Sequence, residues 1–162
     1  MSEQHYVADT CTLHYFYHDL KNSRLLHQLF FPCLYIVPQV RDELLRLATK
    51  KNYSNLILKE IDSGFLSIKE VDIDNPEVQK FISEFSTSLD IGERFSCAIA
   101  LSNDWVLLTD DWVAHQVVMF AYISIMCRDA KWILLEARKK RIIGQKESER
   151  LNKMLEKAKK RY

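Results

Sequence analysis

Glycine and proline are scarce, three of each in 162 residues, and no Gly/Ser- or Pro-rich stretch breaks the chain. Flexible linkers, collagen-like repeats and low-complexity tracts are thereby excluded, and no internal repeat is visible. No apolar run approaches the roughly 20 residues of a membrane span, and the polar residues 1–4 are no secretory leader. A cytoplasmic protein without membrane contact is expected. The four cysteines (Cys11, Cys33, Cys97, Cys127) stand singly among apolar neighbours, which suits small reduced core residues. Zinc sites use close pairs of Cys or His, and no such site is expected.

What the sequence does have is a 48 % apolar content, enough for one core-bearing domain. Its net charge of +1 hides an asymmetry. Residues 138–162 hold eleven Lys/Arg and three Glu (+8), whereas the preceding 137 hold twelve against nineteen Asp/Glu (−7). An acidic body beside a basic helix suits a cation site next to a polyanion-binding surface. A merely solvated helix with basic residues towards its C-terminal end explains the tail equally well.

The pattern alternates strands and helices. Strands are expected over 5–9, 34–37, 65–71, 105–109 and 122–125. Helices are expected over 13–21, 24–31 (capped by Ser23), 38–48 (opened by Pro38) and 55–62 (stopped at Gly64). Further helices follow over 76–85, 92–102, 111–121, 130–140 and 145–160. The 92–102 helix reads as mostly buried, with Phe95, Ala98, Ile99 and Leu101 inward. This order predicts an α/β fold with a doubly wound, largely parallel sheet. In such sheets a ligand sits off the carboxyl ends of the strands, at the switch point.

Two strands run directly into acids, His5-Tyr-Val-Ala-Asp9 and Val106-Leu-Leu-Thr-Asp110-Asp111. Carboxylates at neighbouring strand ends repel unless a cation lies between them, and Mg²⁺ favours one or two carboxylates with waters and phosphate oxygens. Helix capping is the simpler alternative for each Asp alone. Glu43 lies one turn into the helix after Pro38, and Glu93 opens the apolar helix after Gly92.

Val7-Ala-Asp9-Thr-Cys-Thr-Leu13 resembles the opening motif of the PIN-domain nucleases, and Val37-Pro-Gln-Val-Arg-Asp-Glu43-Leu resembles the segment presenting that family's Glu. Leu89-Asp-Ile-Gly92-Glu93-Arg-Phe-Ser-Cys-Ala98 is similar to the branch with Gly-Glu, and Val106-Leu-Leu-Thr109-Asp110-Asp111 to the motif of the last Asp. The sixteen-residue step from Glu93 to Thr109 also fits. The likeness spans residues 6–144, four motifs in order.

The resemblance implies a PIN-like three-layer fold, a central parallel sheet of four to five strands flanked by helices. Residues 1–144 would form the nuclease domain and 145–162 a basic C-terminal helix on it. It implies a metal-dependent endoribonuclease using Mg²⁺ or Mn²⁺ to activate a water against an RNA phosphodiester. Asp9 and Asp110 would be the main ligands, and Glu43 and Glu93 would hold a second ion or its water. Glu43 is also a candidate general base, Thr10 and Thr109 would orient carboxylates, and Asp111 would assist the metal or cap its helix. An antitoxin protein and a homodimer are the protein partners the resemblance brings with it. The alternative, from a different class, is a catalytically silent PIN-like module that binds RNA or protein. Two departures bear on substrate choice: His115 where relatives often have Arg, and Met126-Cys-Arg128 where a Gly/Thr-rich turn is usual. A phosphatase with a nucleophilic Asp-x-Asp is set aside, since Asp9-Thr-Cys11 lacks the second Asp. Tyr15, Phe16, Tyr17, Phe30 and Phe31 are expected in the core.

Overall fold

Val106-Leu-Leu108 is apolar at every position and buried throughout, as a strand covered on both faces requires. In a computed structural model of the chain, which describes residues 3–32, 34–121 and 124–161, it is β4 of a five-stranded parallel sheet. The other strands are β1 (Tyr6–Ala8), β2 (Leu34–Ile36), β3 (Ser67–Ile68) and β5 (Cys127–Arg128), in spatial order β3-β2-β1-β4-β5. Tyr6 pairs with Leu34 on one side and with Val106 on the other, so β1 is central. From β1 the chain moves outward through β2 and β3, then returns to the other side for β4 and β5. The switch point therefore lies between β1 and β4.

The helices are α1 (Thr10–His14), α2 (Arg24–Phe30), α3 (Pro38–Lys50), α4 (Ser54–Asp62), α5 (Pro76–Glu84), α6 (Ile91–Asn103), α7 (Trp112–Ala121), α8 (Ala130–Lys139) and α9 (Gln145–Lys159). α3 packs on α1, α4 and α6, whereas α8 packs on α2 and α9, so the sheet is flanked by two helical groups. α3 opens with Pro38 at its first turn, where the missing N–H is no loss. α4 is followed by Gly64 at φ +76°, a backbone that favours glycine. α9 buries Ser148, Leu151, Leu155 and Ala158, one helical stripe. Phe16, Leu34, Ile36, Ile57 and Phe81 are among the fully buried side chains, each contributing about 1.5–3 kcal/mol of burial. Among the described residues no helix is long and apolar enough to cross a membrane.

Several elements differ from expectation. The third strand shrinks from 65–71 to Ser67–Ile68, because Phe65 and Leu66 donate their amides to the Glu60 carbonyl and plug the core. The last strand falls at Cys127–Arg128 rather than 122–125. Tyr122 and Ile123 lie outside the described residues, Ile125 is a buried loop residue, and Leu107 and Thr109 donate to the carbonyls of Met126 and Arg128. The first helix starts earlier, at Thr10, and continues as a π-helical turn over Tyr15–Asp19. Ser23 occupies the position before α2, yet its side chain makes no capping bond. Tyr15, Phe16, Tyr17 and Phe30 are core residues, while Phe31 is exposed. Cys97 is buried, Cys11 and Cys127 are half-buried free thiols, and Cys33 lies outside the described residues.

Candidate active site

Asp9 follows β1 and opens α1. Its Oδ1 accepts from the Thr10 amide at 2.7 Å, and Oδ2 accepts from the Cys11 thiol and the Thr109 hydroxyl, both at 3.2 Å. Glu43 reaches in from α3, where the Thr10 hydroxyl donates to its Oε2 at 2.8 Å. Glu93 stands at the start of α6 in a reciprocal capping box with Asp90. The Glu93 amide donates to Asp90 Oδ1 at 2.9 Å, and the Asp90 amide donates to Glu93 Oε2 at 3.1 Å. Gly92 lets this helix end approach α3, for a Cβ there would stand 3.2 Å from Glu43 Oε2 and 3.3 Å from Val40 Cγ2.

The result is a cavity of about 260 Å³ at the carboxyl end of β1. Asp9, Glu43, Asp90 and Glu93 line it with Cys11, and His14, Tyr15 and Leu47 form its walls. The Thr10 hydroxyl donates to Glu43 and the Thr109 hydroxyl to Asp9.

Asp110 does not join them. Its Oδ2 accepts from the Thr12 hydroxyl at 2.7 Å and the Ala130 amide at 3.0 Å, and Oδ1 lies 2.6 Å from the Lys159 ammonium. That last contact is an ion pair. The expectation of four carboxylates in one cavity is corrected at this position. The cause is strand alternation. Ala8 pairs with Leu108, and Thr109 turns its hydroxyl to Asp9, so residue 110, the next along, faces the other way, towards Thr12 and Ala130. Asp111 caps α7 through the Ala114 amide at 2.9 Å, and its charge is felt at Glu93.

The electrostatics are those of crowded acids. Burial, with Asp90 and Glu43 nearby, pushes the Asp9 carboxyl up from 3.8 to about 7. Burial, with Asp9, Asp90 and Asp111 nearby, pushes Glu93 up to about 8. The Cys11 thiol is driven well above its usual range by burial and by Asp9, so it is a protonated donor rather than a nucleophile. A cation is what would lower the energy of this set when ionised. The donors are all oxygen, which suits Mg²⁺ or Mn²⁺, and the carboxylates do not form a closed group. Among the described residues, the single trio of ligand atoms within 4.8 Å lies elsewhere. An ion here would keep several waters, as Mg²⁺ does.

Sequence reasoning missed Asp90, although Asp90-x-x-Glu93 is a readable capping-box pattern. His115 and Arg128, the two departures, sit apart from the cavity: His115 Nε2 contacts the Thr109 carbonyl at 2.8 Å, and Arg128 stacks 5.6 Å over Trp132.

Fold and site define the class first, a doubly wound α/β protein with a carboxylate cluster at its switch point. The family follows. The family model described as DUF3368, PIN domain, matches residues 5–162, so the chain belongs to the PIN-domain family and has its nuclease fold. Among curated proteins none matches. Among solved structures the chain is similar to PAE2754 from Pyrobaculum aerophilum, at 16 % identity and a TM-score of 0.61 over 84 % of this chain and 96 % of that one. It is similar to DNA-bound VapBC from Salmonella typhimurium, at 17 % identity and a TM-score of 0.55 over 79 % and 99 %. It also resembles VapBC-1 from nontypeable Haemophilus influenzae, at 14 % and 0.52 over 77 % and 97 %. At such identities the likeness is one of fold.

Proposed function

We propose that the protein is a metal-dependent endoribonuclease, with Asp9, Glu43 and Glu93 holding Mg²⁺ or Mn²⁺ and Asp90 and Asp111 adding charge at the rim. The observation that carries this reading is the gathering of Asp9, Glu43, Asp90 and Glu93 in one cavity at the switch point. A bound divalent ion would activate a water and neutralise charge on the leaving oxygen. The chain's own residues do the rest. Thr10 fixes Glu43, the capping box fixes Glu93, and Thr109 fixes Asp9, so the carboxylates are set before an ion arrives. Glu43, reaching in from a different helix, is placed to take a proton from the attacking water. Asp110 we assign to positioning: bonded to Thr12 and the Ala130 amide, it ties the end of β4 to α1 and α8. Residues 1–144 supply the cavity, and the basic 145–162 segment, which contains α9, supplies attraction for RNA. The two VapBC complexes of similar fold support a toxin role with an antitoxin partner.

The test is cleavage of a mixed RNA pool in Mg²⁺ or Mn²⁺, with and without EDTA. Asp9→Asn and Glu93→Gln should each abolish cleavage while remaining folded. Cleavage that survives EDTA or Asp9→Asn rules the metal mechanism out. The silent-module reading has one observation in its favour, the ion pair that occupies Asp110. A wild type inactive in every metal, yet binding RNA, would establish it.

A further inference from the structure

His14 closes α1, and the chain then widens into the π-helical turn, where the Leu20 amide donates to the Tyr15 carbonyl five residues back at 2.7 Å. On a regular α-helix Asp19 would stand about 140° round from His14, five steps of roughly 100°. The wider turn returns it beneath the imidazole. His14 Nε2 lies 3.8 Å from Asp19 Oδ2, and His18 Nδ1 lies 3.3 Å from Asp19 Oδ1. The two rings stack with centroids 4.9 Å apart at 8°. This is the trio with ligand atoms within 4.8 Å of one another, and π turns of this kind recur at functional sites.

Two further observations point to a ligand. The Asp19 side chain is only 4 % exposed, and its Oδ2 has no hydrogen-bond donor. Leaving a buried carboxylate oxygen without a donor is costly, and a bound cation would relieve that cost. His14 Nδ1 meanwhile pairs with the Tyr53 hydroxyl at 2.6 Å, which directs Nε2 towards Asp19. Metal-bound histidines are commonly oriented in this way through their second nitrogen.

We propose that His14, His18 and Asp19 form a binding site for a transition-metal ion of the Zn²⁺ class, adjoining the acidic cavity at His14 but using none of its carboxylates. Two imidazole nitrogens and a carboxylate oxygen with a water in fourth place match Zn²⁺, whereas Mg²⁺ prefers oxygen alone. Two ligands of one such ion stand at most about 4.2 Å apart, so the trio must draw in slightly. His18, 27 % exposed, is free to move. Two cations oppose the ion: Arg161, 3.9 Å from Asp19 Oδ1, and Lys51 towards His14. Arg161 is exposed and can swing into solvent. His14 also lines the acidic cavity, so occupancy would fix one of its walls. The expectation of no zinc site passed over His14-x3-His18, a pair of ligands one helical turn apart.

The test uses the full chain, stripped with EDTA and then titrated with Zn²⁺ by calorimetry in excess Mg²⁺, which saturates oxygen-only sites. Co²⁺ in place of Zn²⁺ reports a tetrahedral site by its intense visible bands. One equivalent of Zn²⁺ should bind and raise the melting temperature. His18→Gln and Asp19→Asn should each weaken binding by roughly 100-fold or more, whereas Glu93→Gln and Cys11→Ser should not. The apo-protein melting temperature of His18→Gln, a half-buried position, checks that loss of binding is not loss of fold. Absence of saturable Zn²⁺ binding overturns the proposal. So does binding that survives His18→Gln, or that disappears in Glu93→Gln or Cys11→Ser, either of which places the ion in the acidic cavity. None of these readouts depends on RNA cleavage.

Discussion

Replacing Asp9 with Asn should stabilise the metal-free protein, by an amount that grows as pH rises from about 4 to about 7. The carboxyl is 3 % exposed and its pKa moves from 3.8 to about 7. The sign follows from proton counting. Between about pH 4 and pH 7 the folded protein holds a proton on Asp9 that the unfolded chain has released. The stability that this proton contributes therefore falls as pH rises through that window, and that contribution is fully lost above it. At ~1.36 kcal/mol per pH unit, ionising Asp9 costs the native state about 4 kcal/mol at most. Asn keeps the shape, with its oxygen accepting from the Thr10 amide and its NH₂ turned to the Thr109 hydroxyl. For a chain of this size about 4 kcal/mol corresponds to a Tm difference of roughly 8–16 °C, and half of that is a fair expectation after relaxation. Urea unfolding in EDTA at pH 4 and pH 8 measures it. The two proteins should nearly match at pH 4, and the variant should be more stable at pH 8. Adding Mn²⁺ should reverse the order by stabilising the wild type alone. A gap between variant and wild type that does not change with pH refutes the electrostatic reading of the cavity.

Three other perturbations separate the parts of the site. Lys159→Ala leaves Asp110, 2 % exposed, without its counter-charge and should cost about 2 kcal/mol by thermal melts, since the half-exposed lysine discounts the larger figure for buried pairs. A loss below the roughly 0.5 kcal/mol of an ordinary surface change would deny the pair any structural role. Gly92→Ala puts a methyl 3.2 Å from Glu43 Oε2, so Mn²⁺ affinity should fall while stability changes by less than about 1 kcal/mol, the helix preference of Ala offsetting the crowding. Unaltered Mn²⁺ affinity would show that the approach of α6 to Glu43 is incidental. Lys146→Glu, Lys153→Glu and Lys157→Glu together should weaken RNA binding of every sequence and flatten its salt slope by about 0.7 per lost phosphate contact. An unchanged slope returns α9 to a merely solvated face.

The parts of this molecule that sequence revealed are those where one residue type meets one local rule. Asp9 follows a buried strand, Glu43 sits a turn beyond Pro38, and Glu93 follows the one glycine that a helix contact demands, so each could be placed without coordinates. The resemblance favours Asp110 over Asp111 as the main ligand, but which of two adjacent residues faces a cavity depends on the register of β4 against β1. That register is a tertiary fact. Asp90 was hidden for the opposite reason, since a residue that caps a helix so well attracts no second reading. The edge strands β3 and β5 are two residues each, too short for alternation to show, and β5 is recognisable only by its bonds to β4. The π turn after His14 has no sequence signature at all, so nothing indicated that Asp19 would lie beneath His14.

The contact between Lys159 and Asp110 has a consequence for how this protein can be manipulated. One ammonium serves two surfaces, the basic face of α9 and the strand end beside the acids. The charge of the tail and the charge around the cavity are therefore not independent variables. A substitution at 159 chosen to alter polyanion attraction also frees a buried carboxylate whose charge is felt at Cys11, the donor to Asp9, and its effects on affinity and turnover would be inseparable. Any attempt to tune one property without the other must leave that single lysine in place.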